Sequence, residues 1–253
     1  MYMNLALVLG GGAARGAFHL GVLHYCEQNN IEIQAYSASS IGSIISCSHA
    51  SGLKAKEQLK IFTSNELKET IRFNYFKKSL FKIDSTCKVI KELLPIAKIE
   101  DIPKPVVINA YDTKKKKLHY FSSGDTIELC LASSAIIPLF KAIEYENMNL
   151  IDGGLFDNLP IKPLENKNYD IVIIDLFPKT IINKTFRIKP IKILKRRLFT
   201  QLYKNYNYSI QHTDYYLSSS HLRDFDLYTF TQINDCFNLG FKEAKTFFRY
   251  NLD

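Results

Sequence analysis

The chain has 253 residues, 46% of them hydrophobic and 23% charged, with a formal net charge of +8. That length and apolar fraction suit one large domain with a substantial core and argue against a disordered chain. The sequence holds no apolar run of the roughly 18 residues that a bilayer-crossing helix needs. Its five cysteines, at 26, 47, 87, 130 and 236, are odd in number and form no C-x-x-C, so they suggest neither a disulfide framework nor a metal site.

Asn4 to Leu9 is an apolar run of strand length, and Gly10-Gly11-Gly12-Ala13-Ala14-Arg15-Gly16 follows at once. From Ala17 to Cys26 the apolar residues recur at three- and four-residue intervals, as on a helix facing a core. Because the run to Leu9 is a strand that leads straight into motif residues, it is not expected to be a removable signal peptide. The glycines therefore lie between a buried strand and a helix start, where uncovered N–H groups attract negative charge. Three roles fit such a turn. It could cradle a dinucleotide, since Gly11-x-Ala13-x-x-Gly16 loosely follows G-x-G-x-x-G, but the acidic residue expected after the second strand is missing and Glu32 comes too early. It could form an oxyanion hole, or it could be a tight turn without chemistry.

Gln34 to Ser37 reads as a second strand and Ile41 to Ala50 as a helix of small and apolar residues. Ser40 falls between them in the pattern Ala38-x-Ser40-x-Gly42, which has the small flanking residues that a nucleophile elbow requires. Leu53 to Ile99 is mostly helical in pattern. Its middle, Ile71 to Phe81, mixes large aromatics with cations, as in an amphipathic helix or a lid. Val106–Tyr111 and Leu118–Phe121 read as a hairpin whose tip carries the solvated lysines Lys114 to Lys117. Asn149-Leu150-Ile151 is a short strand that ends in Asp152-Gly153-Gly154, a carboxylate followed by residues that allow close backbone approach; an ordinary Asp-Gly turn would look the same. Asp157 is expected to brace that loop. Asp170 to Leu176 reads as a central strand covered on both faces. The chain then turns basic and tyrosine-rich. A long helix is expected from about Ile191 to Leu217, a short strand at Leu227–Phe230 and a last helix from about Leu239.

Taken together, these blocks resemble the patatin-like phospholipase family. Gly10 to Leu23 is similar to its glycine-rich opening, with Arg15-Gly16 at the arginine-glycine pair. Ala38 to Gly42 is similar to its serine elbow, Leu131 to Phe140 to its alanine-serine-proline segment, and Ile151 to Pro160 to its Asp-Gly-Gly stretch with the trailing Asn-x-Pro. The resemblance spans residues 4–176 and, more weakly, Leu239 to Ala244; Ala13 and Ala38 stand where the family prefers glycine. It implies a three-layer α/β fold with a mostly parallel central sheet flanked by helices. The catalytic core would be residues 4–176 with a helical insertion at about 53–100, and residues 177–253 a basic, aromatic helical extension of the same domain.

The implied function is hydrolysis of fatty-acyl esters of phospholipids or lysophospholipids by a Ser-Asp dyad. Ser40 would be the nucleophile and Asp152 the base, a partly desolvated one. Gly11, Gly12, Ala13, Arg15 and Gly16 would form the oxyanion hole, with Arg15 holding or polarising the loop. Ala38 and Gly42 would shape the elbow, Gly153 and Gly154 the aspartate turn. No metal or organic cofactor is implied. The mechanistic rival is a triad of Ser40, Asp175 and His212 or His221; the other histidines, His19, His24, His49 and His119, read as packed or surface residues. The non-enzymatic rival is a lipid-binding protein whose site has decayed. The cluster Arg187, Lys189, Lys192, Lys195, Arg196 and Arg197, with Phe199, Tyr203, Tyr206 and Tyr208 behind it, suits an anionic membrane surface better than nucleic acid, for which no motif is present. A cytoplasmic, peripherally membrane-associated protein is the expectation.

Overall fold

The computed structural model describes residues 4–66, 88–137, 140–177, 205–213, 215–227 and 231–252. The strands are β1 (Leu5–Leu9), β2 (Ile33–Ala38), β3 (Val106–Asp112), β4 (Lys117–Phe121), β5 (Ile143–Tyr145), β6 (Met148–Asp152), β7 (Asp170–Ile174) and β8 (Tyr215–Leu217). The helices are α1 (Gly16–Gln28), α2 (Ile41–Ala50), α3 (Ala55–Thr63), α4 (Lys88–Leu93), α5 (Thr126–Ser133) and α6 (Ile233–Leu252). One sheet runs in the order β5-β6-β3-β2-β1-β7-β8, with β4 also paired to β3. Strands β3, β2, β1, β7 and β8 are mutually parallel, while β4, β5 and β6 are antiparallel to their neighbours. The sheet flanked by helices is the α/β architecture expected.

The centre is continuous and apolar. Every residue of β1 is fully buried, as are Val172, Ile173 and Ile174 of β7, because parallel strands covered on both faces have no polar side to present. Phe18, Leu20 and Leu23 of α1 join the core, and each such side chain contributes roughly 1.5–3 kcal/mol by burial.

The register around β3 positions the site. Ile108 pairs with Ala38 of β2 and with Phe121 of β4, while Ala110 pairs with His119 of β4 and with Asp152 of β6. A strand has two edges, and β4 occupies one throughout. Strands β2 and β6 therefore share the other, running toward each other and meeting end to end. The chain leaves β2 two residues before Ser40, and β6 stops at Asp152 at the same level.

Two expected elements differ. The end of the helix expected to reach Leu217 is instead β8, parallel to β7. Of the region before it, only 205–213 is described, with helix at 205–211. Tyr215-Tyr216-Leu217 suits a strand by propensity, and pairing with β7 decides the outcome. The last helix begins at Ile233, earlier than Leu239, because Ile233, Cys236 and Phe237 already continue its buried stripe. The aromatic–cationic stretch Ile71–Phe81, the basic cluster from Arg187 to Arg197 and residues 228–230 of the expected short strand lie outside the described residues.

Candidate active site

The carboxyl ends of the parallel strands are where open α/β sheets build sites. Here β1 delivers the glycine turn and β2 the serine turn. Ser40 has φ 53 and ψ −128, a left-handed φ that a non-glycine residue adopts only under constraint, as in a nucleophile elbow. The constraint is visible. Ser39 N–H donates to Leu9 O at 3.1 Å, and Gly42 lies so close to the Leu9 carbonyl that no Cβ fits there. Ala38 ends β2 in extended pairing with Leu9, so alanine costs nothing at that position. Ala13 differs, with φ 49, where an L side chain costs about 1–2 kcal/mol relative to glycine.

Asp152 is 3% exposed and Ser40 6%. Burial pushes the Asp152 carboxyl up to about 7. A hydrogen bond with the Ser40 side chain and one from the Gly154 N–H oppose that rise without cancelling it; the Gly154 bond is 2.6 Å long. The loop that follows is held from β3 and β4. The Asn109 amide donates to Asp157 O at 2.6 Å, and the Tyr120 hydroxyl donates to the Asp157 carboxylate at 2.6 Å. Asp157 is thus the brace expected.

The glycine turn divides into used and unused donors. Gly10 N–H donates to Ile174 O, Gly11 N–H to the Asn158 side-chain oxygen at 3.0 Å, Ala14 N–H to Leu227 O, Arg15 N–H to Gly12 O and Gly16 N–H back to Ala13 O. Among the described residues, the N–H groups of Gly12 and Ala13 have no acceptor, and neither does that of Ile41, the first residue of α2. Gly11 instead provides room: a Cβ there would stand 2.8 Å from the Ser40 Cβ. The Arg15 guanidinium is taken up by carbonyls, with Nε and Nη2 donating to Phe225 O at 3.0 and 2.8 Å and Nη1 to Leu176 O at 3.3 Å, and it lies over the Phe177 ring. Of the two expected roles, holding the loop is the one this geometry suits.

Three contributors were not singled out from sequence. Asn158 also reaches Gly11 O at 3.4 Å and so joins the aspartate loop to the glycine turn. Its place in the Asn-x-Pro tail was the available signal. Ser133 Oγ accepts the Ser40 N–H at 2.9 Å, and Ala135 O accepts the Asp152 N–H at 3.1 Å. One three-residue segment at the end of α5 therefore bonds to both Ser40 and Asp152.

The rival triad is not assembled. Asp175 Oδ2 accepts the hydroxyls of Tyr206 and Tyr216 at 2.6 and 2.7 Å, and its Oδ1 accepts the Phe177 N–H. His212 stacks on Tyr208 and bonds to its carbonyl; His221 is exposed and pairs with Asp224. His24 and His49 bond to Glu27, and His19 bonds to Gly10 O from a fully buried site that lowers its pKa to about 4. Among the described residues, none of these histidines is hydrogen-bonded to Ser40. Among the described residues no group of His, Cys, Asp and Glu could hold a metal.

A strained serine at a strand–helix turn, a buried carboxyl beside it and unused N–H groups on a glycine turn make up the candidate site at the carboxyl edge of the sheet. The profile of the patatin-like phospholipase family matches residues 7–165, and the chain belongs to that family. An uncharacterized NTE family protein of Mycobacterium bovis is 26% identical over 172 residues, which is 67% of this chain and 48% of that protein. The lysophospholipase NTE1 of Cryptococcus neoformans is 29% identical over 188 residues, 68% of this chain and 11% of that one. The chain thus spans about half or less of the length of these curated relatives. In three dimensions it resembles VipD from Legionella pneumophila, with a TM-score of 0.57 at 12% identity, covering 98% of this chain and 67% of that one.

Proposed function

We propose that the chain is a serine acyl hydrolase acting on fatty-acyl esters of phospholipids or lysophospholipids. The observation that carries this is the pairing of Ser40, at a strained elbow, with Asp152, a buried carboxyl whose pKa burial raises to about 7 and the Ser40 side chain lowers. A serine hydroxyl is a weak nucleophile until a base takes its proton, and a base works best with a pKa near the operating pH. Ser40 Oγ attacks the ester carbonyl while its proton passes to Asp152. The N–H groups of Gly12 and Ala13, with that of Ile41, receive the oxyanion. On collapse the alcohol leaves with the proton from Asp152. Water then attacks the acyl-serine, giving a proton to Asp152. The fatty acid departs, and the proton returns to Ser40. These steps call on no cofactor. Burial of the dyad supports an apolar ester that excludes water from the reacting groups when it binds. Peripheral contact with a membrane follows from such a substrate. No helix among the described residues is long and apolar enough to cross one.

Fatty-acid release from mixed phospholipid vesicles tests the proposal. Ser40→Ala is expected to fall to background, and Asp152→Ala to lose about 10²–10⁴-fold. Wild-type release unchanged by either substitution would overturn the dyad. A wild type that binds vesicles yet releases nothing from them or from a short-chain soluble ester would favour a decayed lipid-binding protein.

Ser133 is proposed as a positioning residue. Ser133→Ala leaves the buried Ser40 N–H without its acceptor, at a cost of about 1–3 kcal/mol. The elbow is then less well fixed, so kcat should fall about tenfold with KM unchanged and the pH–rate midpoint near 7 displaced. A purely structural role would lower stability and leave kcat and the pH profile of the folded fraction as they were.

A further inference from the structure

Strand β3 does not stop at the level of the dyad. Asp152 pairs with Ala110, and the chain continues through Tyr111 and Asp112 to a turn that re-enters β4 at Lys117. At roughly 3.3 Å per residue, the Asp112–Lys117 pair that closes that turn stands about 7 Å beyond the dyad row, and the turn lies just past it. It projects from the carboxyl edge of β2 and β3, the same edge that carries Ser40 and the glycine turn. The turn is Lys114-Lys115-Lys116-Lys117, and all four side chains are exposed. None of them enters an ion pair among the described residues.

Its base is firmly built. Asp112 Oδ1 accepts the N–H groups of Lys114 and Asn149 at 2.9 and 3.2 Å. The Thr113 N–H and hydroxyl both donate to Asn149 O at 2.9 Å, and the Asn149 amide donates back to Thr113 Oγ1. The neighbouring β5–β6 hairpin adds the exposed Glu144 and Glu146, so the lysines remain in excess. On the same edge, Ile137 is 47% exposed, although it lies two residues from Ala135, whose carbonyl holds the Asp152 N–H. A mobile, solvated lysine run needs no such bracing and has no reason to project beside an active site.

We propose that the Lys114–Lys117 turn is a docking element for an anionic phospholipid surface, with Ile137 as the apolar contact at the site mouth. It would set the catalytic edge toward the bilayer. The inference rests on the lipid-hydrolase reading above, and it names a surface which that reading does not require. Lysines near an anionic leaflet contribute roughly fivefold each to partition, and the attraction is screened by salt.

The test is flotation with phosphatidylcholine vesicles, with and without phosphatidylglycerol, using the Ser40→Ala protein so that the lipid stays intact. Replacing Lys114, Lys115, Lys116 and Lys117 together by Gln is expected to weaken binding to the anionic vesicles more than tenfold at low salt. Lys242→Gln with Lys245→Gln, two exposed positions on α6, should leave it within about twofold. In the active protein the quadruple change should lower release from anionic vesicles while hydrolysis of a soluble short-chain ester stays the same. Equal binding by the quadruple variant, equal loss in the α6 variant, or no preference of the parent for anionic vesicles would each overturn the docking role. Failure of ester hydrolysis alone would strike the catalytic reading and leave the flotation result to stand by itself.

Discussion

Asp152→Asn is expected to give a protein that is inactive and yet more stable than the parent at pH 8. Burial holds the Asp152 carboxyl at about 7 against an ordinary 3.8. The folded state thus keeps its proton over a range where the unfolded chain has already released it. Its stabilising influence is complete below pH 4 and is lost as pH rises toward 7; above 7 the ionised carboxylate is a standing cost of about 4 kcal/mol. Asn has the same shape, can still accept the Gly154 N–H and never ionises. At pH 8 the variant should gain several degrees in Tm, at about 2–4 °C per kcal/mol for a chain of this size, and the gain should vanish near pH 4. Activity should fall about 10²–10⁴-fold with loss of the base.

His19 sharpens the expectation. Its folded pKa of about 4 lies below its ordinary 6.5, so the unfolded chain binds the extra proton and stability rises with pH between those values. In the parent the two groups work against each other and flatten the profile. Asp152→Asn should bring out the His19 slope, so that Tm rises more steeply from pH 4 to 6.5 than in the parent, against the buried Asp157 and Asp175, whose raised pKa values pull the other way. Thermal melts of both proteins across pH 4–8 measure this directly. A variant no more stable than the parent at pH 8 would mean that Asp152 is not desolvated as described.

The candidate site was legible where chemistry confines residues to short turns. Ser40, Asp152 and the glycine turn announce themselves because a strained serine needs small neighbours and an oxyanion needs bare N–H groups. What escaped was joined across the chain. Ser133 meets Ser40 over 93 residues, Asn158 meets Gly11 over 147, and Arg15 reaches Phe225 over 210. Spacing along a sequence carries no signal for such pairs, so Gly11 looked like an oxyanion donor when its N–H is already taken by Asn158. Asp175 looked available to a histidine for the same reason, its tyrosine partners lying 31 and 41 residues on. Of the fold, α1 was readable from periodicity and the β3–β4 hairpin from two strand-like runs joined by lysines, whereas β8 is a strand only because β7 offers it an edge.

Gly240→Ala is expected to be among the most damaging single changes away from the dyad. Helices α1 and α6 cross through their backbones. A Cβ on Gly240 would fall on the Phe18 carbonyl, and one on Gly21 would fall on the Phe237 carbonyl and the Phe241 N–H. No side chain stands in the way that could rotate aside, so the helices must separate. That loosens the contacts of the buried Phe18, Phe237, Ala244 and Phe248, and a loss of about 3 kcal/mol or more is expected. Gly52→Ala makes the contrast, since its φ is +100 but a Cβ there meets nothing within 4 Å. It should cost only about 1–2 kcal/mol, the backbone term alone. Once the crossing has opened, adding Gly21→Ala should cost little more, so the double change should be well below additive. Denaturation midpoints of the parent, the three single variants and the double variant test this, and a Gly240→Ala no worse than Gly52→Ala would refute the close crossing. The consequence reaches the site because the Cys236 thiol of α6 lies against Arg15 O at 3.7 Å, at the turn whose N–H groups are proposed to receive the oxyanion. Displacing α6 therefore removes support from the glycine turn, and the fraction that remains folded should also turn over more slowly.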